Sequence, residues 1–126
     1  IGKQVAKRAH GFDMPVIYHN RNRLPAEEEA RMGVSYRSFE QLLAESDILS
    51  IHTPLTPETR GLFDAVTLAR MKRGSVLINT SRGPLIKEEA LVDALKRGHL
   101  YAAGLDVFEQ EPLAHPDLVK LPNVVM

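Results

Sequence analysis

Short apolar runs alternate with segments of helical period along the whole 126-residue chain, and this alternation constrains the fold more than any other feature. Val16-Ile17-Tyr18, Val34-Ser35-Tyr36, Ile48-Leu49-Ser50-Ile51, Val76-Leu77-Ile78, residues 101–107 and residues 123–126 read as strands. Residues 2–9 place Gly2, Val5, Ala6 and Ala9 at the i, i+3, i+4, i+7 spacing of one helix face. Residues 25–32 read as a weak helix. Phe39, Leu42 and Leu43 mark another after Ser38 and Gln41, which have capping-box spacing. Ala65, Leu68, Ala69 and Met71 mark the next. Residues 88–97 form the clearest helix, with Ala90, Leu91, Ala94 and Leu95 on one face and Gly98 as stop. Its start lacks a good cap, because Lys87 stands where Asn or Asp would be expected.

Strands that are apolar throughout, each followed by a helix, are the pattern of buried parallel strands with crossover helices. The expected fold is therefore α/β, a doubly wound parallel sheet, in one domain spanning residues 1–126. Ligands of such sheets bind beyond the carboxyl ends of the strands. Here those ends are residues 19–23, 52–55, 79–83 and 106–111. The chain opens directly into a helical pattern and closes within a strand, so both ends read as cut.

Composition narrows the function classes. Sixteen basic residues balance sixteen acidic ones, and a zero net charge argues against an electrostatic nucleic-acid binder. There is no cysteine, which excludes disulfides and thiolate-held zinc. The five histidines form no cluster at metal spacing, so no metal is expected. No apolar run approaches the ~20 residues of a membrane span, so no membrane partner is expected.

Several residues at the strand ends could carry chemistry, each against a plainer reading. Ile1-Gly2 opens the first helix, where a phosphate would be favoured; a glycine there also serves packing alone. His19-Asn20-Arg21-Asn22-Arg23 contains no acid to bond a ribose. Arg21 and Arg23 could clasp a 2′-phosphate or form a solvated basic turn. Arg82 could bind a carboxylate in bidentate fashion or be a surface charge. Asp106 could cap a turn, and Glu111 could simply be solvated. Ser81 has no His or Asp partner that would suggest a hydrolase triad.

Longer motifs decide among these readings. Pro54-Leu55-Thr56-Pro57-Glu58-Thr59-Arg60-Gly61-Leu62 resembles the turn region of the D-isomer-specific 2-hydroxyacid dehydrogenases. Asn79-Thr80-Ser81-Arg82-Gly83-Pro84 resembles their arginine motif, and residues 102–112 resemble their glutamate motif. Leu121-Pro122-Asn123-Val124-Val125 resembles the strand leading to their histidine motif. The resemblance runs through essentially the whole chain in order. Arg8-Ala9-His10 through Met14-Pro15 and residues 108–113 look most like bacterial glyoxylate/hydroxypyruvate (2-ketogluconate) reductases.

The resemblance implies a Rossmann-like NAD(P)-binding domain from a two-domain cytoplasmic enzyme, expected as a homodimer. Its first strand, its substrate domain and a catalytic histidine a few residues beyond Met126 would lie outside this chain. Alone, the chain would be inactive. Arg82 would hold a small 2-oxo acid. Glu111 would pair with the histidine and raise its pKa so that it protonates the carbonyl. Ile1 and Gly2 would belong to the glycine-rich fingerprint. Thr53, Pro54, Thr80 and Asp106 would line the cofactor. Asn20 in place of an acid, with Arg21 and Arg23, implies NADP, with NADPH preferred and NAD accepted. The competing reading is a dinucleotide-binding corepressor of the same superfamily, acting through protein partners.

Overall fold

The computed structural model describes all 126 residues. In chain order the elements are α1 (Gly2–His10), β1 (Val16–Tyr18), α2 (Ala26–Met32), β2 (Val34–Tyr36), α3 (Phe39–Glu45), β3 (Ile48–Ile51), α4 (Ala65–Arg70), β4 (Val76–Asn79), α5 (Glu88–Lys96), β5 (Ala102–Leu105) and β6 (Val124–Val125). Two short 3-10 turns, Gly83–Leu85 and Leu118–Lys120, follow β4 and precede β6. Every strand pair is parallel. The α/β alternation read from the sequence is thus the architecture of the molecule. No helix is long and apolar enough to cross a membrane.

Local chemistry explains most helix boundaries. The capping box is present: Gln41 N–H donates to Ser38 Oγ (3.2 Å) and Ser38 N–H to Gln41 Oε1 (3.0 Å). Asp64 caps α4 by accepting from Thr67 N–H at 2.9 Å. Gly33 ends α2 with a left-handed backbone (φ 65°), which glycine adopts without a Cβ penalty. The strand expected over residues 101–107 is shorter. It stops at Leu105 because Asp106 N–H, after bonding Asn79 O at 3.0 Å, is followed by irregular backbone.

The sheet is in two pieces. β1 pairs with β2, aligning Val16 with Val34, while β3, β4, β5 and β6 form a four-stranded sheet in that order. β1 and β3 exchange no hydrogen bonds, a division that periodicity could not reveal. Aromatic packing joins the halves. Phe39 lies between His19 (centroids 5.7 Å apart) and Phe63 (6.1 Å). The main core sits between the larger sheet and α3, α4 and α5, with Leu77, Leu91, Leu100 and Leu118 wholly buried. Each such leucine contributes roughly 1.5–3 kcal/mol relative to exposure. Because the strands of the larger sheet are parallel, the candidate residues after β3, β4 and β5 share one edge, and those after β1 reach it too, Arg21 lying close enough to act on Glu58 in the turn after β3.

Candidate active site at the strand carboxyl ends

The turn after β4 is built around Asn79, which is only 1% exposed. Its Nδ2 donates to Arg82 O (2.9 Å) and its Oδ1 accepts from Ser81 N–H (3.0 Å). A buried amide satisfied on both sides fixes the backbone it bridges. Ser81 Oγ donates to Thr53 O at 2.9 Å, tying this turn to the end of β3. Arg82 is exposed. One guanidinium nitrogen donates to Ser81 O (2.7 Å), leaving the rest of the fork directed to solvent. Thr80 is also exposed beside it.

The loop after β5 packs against that turn. A Cβ added at Gly83 would overlap the carbonyl of Phe108, so only glycine allows this approach. Asp106 is exposed at the mouth of the strand. Glu111 is exposed, and its Oε1 accepts from Phe108 N–H at 3.3 Å. Burial works against the charge of Glu109, but the Lys87 ammonium (Nζ to Oε1 3.0 Å), the Glu88 N–H and Arg60 outweigh it. They hold that carboxyl below its ordinary value. Thr53 and Pro54 begin a turn closed on itself. Thr59 Oγ1 donates to Pro54 O (2.8 Å) and accepts from Thr56 N–H (2.8 Å).

At the opposite end of the edge stand α1 and the residues after β1. Gly2 faces the His52 ring, and a Cβ there would lie 3.4 Å from it. His52 bonds Ser50 Oγ (3.0 Å). Burial holds its imidazole below the ordinary value. Asn20 and Arg21 are exposed. Arg23 is otherwise engaged. Its Nε and Nη2 form a bidentate pair with Glu29 (2.8 and 2.9 Å), and its guanidinium stacks over Tyr36 at 5.2 Å. Tyr18 adds a third bond to Glu29 (2.6 Å) and accepts from Leu24 N–H. The two arginines expected at a 2′-phosphate thus differ in their surroundings. Arg21 is unpaired, whereas Arg23 is spent on holding the loop.

The family profile described as D-isomer specific 2-hydroxyacid dehydrogenase, NAD binding domain, matches residues 1–126. This chain belongs to that family. The D-2-hydroxyacid dehydrogenase domain is 50% identical to a glyoxylate reductase of Thermococcus litoralis, over the whole chain and 38% of the relative. It is also 50% identical to a glyoxylate/hydroxypyruvate reductase B of Salmonella newport, over 99% of the chain and 39% of the relative. Among solved structures, a glyoxylate reductase from Paecilomyes thermophila superposes with a TM-score of 0.94 at 48% identity, over 99% of this chain and 38% of that one. The dehydrogenase domain thus spans about two-fifths of the length of the curated relatives it matches.

The residues present fit a nicotinamide dinucleotide. α1 has no side-chain cap and no acid in its first turn, while α2 and α5 carry two or three acids there and α3 and α4 are side-chain capped. A helix start left electropositive and approached by glycine suits a diphosphate. In the sequence of this dehydrogenase domain Asn79, Gly83 and Glu109 stand only as members of motifs, without roles of their own, and Glu88 stands in none. A polar residue closing the apolar run 76–78, and a glycine directly before Pro84, were the signals available for the first two. The two glutamates are 21 positions apart and gave none.

Proposed function

We propose that the whole protein reduces a small 2-oxo acid, of the glyoxylate, hydroxypyruvate or 2-ketogluconate kind, to the D-2-hydroxy acid. The single observation carrying this reading is the packing of Gly83 against Phe108, which sets the arginine turn and the glutamate loop side by side on one sheet edge. The names of the relatives support the substrate class. The homodimeric, cytoplasmic setting implied by the resemblance goes with it, as do the absence of nucleic-acid and membrane partners.

In this reading the exposed fork of Arg82 binds the carboxylate or carbonyl oxygen of the oxo acid and fixes which face is presented. Asn79 fixes the backbone beneath that arginine, and Ser81 O takes one of its guanidinium bonds. One Glu111 oxygen rests on Phe108 N–H, leaving the other to bond an imidazole proton donor from elsewhere in the protein. A carboxylate in that place favours the protonated ring and orients it. The start of α1, at Ile1 and Gly2, holds the cofactor diphosphate, and Thr53, Pro54, Thr80 and Asp106 line the remainder. Asn20 brings no negative charge to the ribose, and Arg21 supplies a cation for a 2′-phosphate, which favours NADPH over NADH. Bound NADPH supplies the hydride.

The test is purification of the full-length protein and measurement of NADPH and NADH consumption with each 2-oxo acid, with chiral analysis of the product. The D-hydroxy acid is expected. Tight dinucleotide binding without turnover of any 2-oxo acid would overturn the reading and leave the regulatory one.

A further inference from the structure

Glu88 is the first residue of α5, yet its carboxylate does not serve its own helix. The side chain is 7% exposed, and one oxygen accepts from Glu109 N–H (2.5 Å) while the other accepts from His115 N–H (3.0 Å). The exchange is reciprocal, since Glu109 Oε2 accepts from Glu88 N–H at 3.2 Å and supplies the cap that Lys87 lacks. Lys87 Nζ bonds the other Glu109 oxygen, and Arg60 lies close enough to act on the same carboxylate. A carboxylate is withdrawn from water only where charged hydrogen bonds replace its hydration. Glu89, next in sequence, is exposed and already supplies the acid that the start of a helix favours. The burial of Glu88 therefore needs another explanation.

The two amides it holds bracket the loop that carries Glu111. Between them, Leu113 N–H returns to Gln110 O (2.9 Å), closing a small antiparallel bridge. We infer that Glu88 is a positioning residue, clamping both ends of the 109–115 loop so that Glu111 is held fixed against the Arg82 turn. The inference rests on the catalytic reading of Glu111 given above.

The test is Glu88→Gln in the full-length protein. Glutamine preserves size and one acceptor oxygen, but turns an amide donor toward the second N–H and releases one end of the loop. Loss of one charged hydrogen bond at a catalytic loop is expected to lower kcat by about ten- to a hundredfold. The KM for NADPH should stay within about twofold, because α1 and the 19–23 turn are untouched. The amides of Glu109 and His115 should exchange faster while those of β4 keep their protection. Glu89→Gln should change none of these. Wild-type kcat in a variant whose loop exchanges faster overturns the inference, and so does unchanged exchange at both amides. If Glu88→Gln does not fold, Glu88→Asp carries the same test, since it draws the oxygens back by one methylene. Faster exchange with lowered kcat supports the clamp; faster exchange with normal kcat overturns it. Absence of reductase activity in the wild type would refute the proposed function instead, while exchange still decides whether Glu88 holds the loop.

Discussion

Gly83 and Phe108 lie so close that no side chain fits between them, and through this contact the turn bearing Arg82 rests on the loop bearing Glu111. The atoms that would be struck are backbone, so a rotamer change cannot relieve the clash. Gly83→Ala is therefore expected to destabilise the domain by at least the roughly 1–3 kcal/mol typical of overpacking, and to cut kcat/KM through separation of the two segments. Urea unfolding and steady-state kinetics on the same preparation check both effects. Unchanged stability would mean that the Gly83 and Phe108 backbones do not touch.

Arg82 donates one bond to Ser81 O and leaves the rest of its fork exposed. Arg82→Lys should raise the KM for the 2-oxo acid and lower kcat, since a point charge replaces a planar fork. Arg82→Ala should lose substantially more. Removing the side chain leaves the Asn79 bonds to the backbone intact, so thermal stability should hardly move. Near-normal kcat/KM in the alanine variant would remove Arg82 from the role proposed.

The two arginines after β1 should respond differently. Asn20→Asp combined with Arg21→Ala is expected to lower kcat/KM for NADPH by about ten- to a hundredfold, the range for one charge-assisted contact, and to leave NADH unchanged or better. Arg23→Ala breaks the Glu29 pair and the Tyr36 stack. It should weaken NADPH and NADH together, since it loosens the loop without removing a phosphate ligand. Selective loss of NADPH in Arg23→Ala would restore Arg23 as a direct ligand.

The same pair gives a pH prediction. The hydrogen bonds from Arg23 and then Tyr18 hold the Glu29 carboxyl down to about 2, from an ordinary 4.5. Between those values the unfolded chain binds more protons than the folded one, so stability falls as pH falls. Its contribution is complete above pH 4.5 and lost as pH drops through about 2. Amide exchange at β1 and β2, followed across that window, should lose protection, and Glu29→Gln should abolish this part of the dependence.

The strands over residues 48–51 and 76–78 and the helix after residue 87 were legible because each buries an apolar run or stripe. The Ser38 and Gln41 cap was legible because it is local. Pairing was not. Nothing in Val16-Ile17-Tyr18 or Ile48-Leu49-Ser50-Ile51 says that the two strands do not bond each other. Arg82 and Glu111 were visible only through motif spelling, since an exposed arginine and an exposed glutamate are ordinary in isolation. The diversion of Arg23 to Glu29 depends on how the 19–24 turn folds back over α2. Glu88 and Glu109 look like solvated acids until the chain brings them together.

The division of the sheet makes the two ends of the site unequally tolerant of change. The sixteen residues of the main core all lie between Leu43 and Leu118, and neither α1 nor α2 contributes a buried side chain. Positions 20 and 21 therefore sit on a lightly packed annex, whereas Arg82 and Glu111 are mounted on the densely filled half. Substitutions that retune the choice of dinucleotide can accumulate in the annex at little cost to folding. Those that alter the frame beneath the chemistry must be accommodated by the core. If the proposed roles hold, a lineage built this way, or an engineer working on it, can exchange one cofactor for another while the reaction itself stays intact.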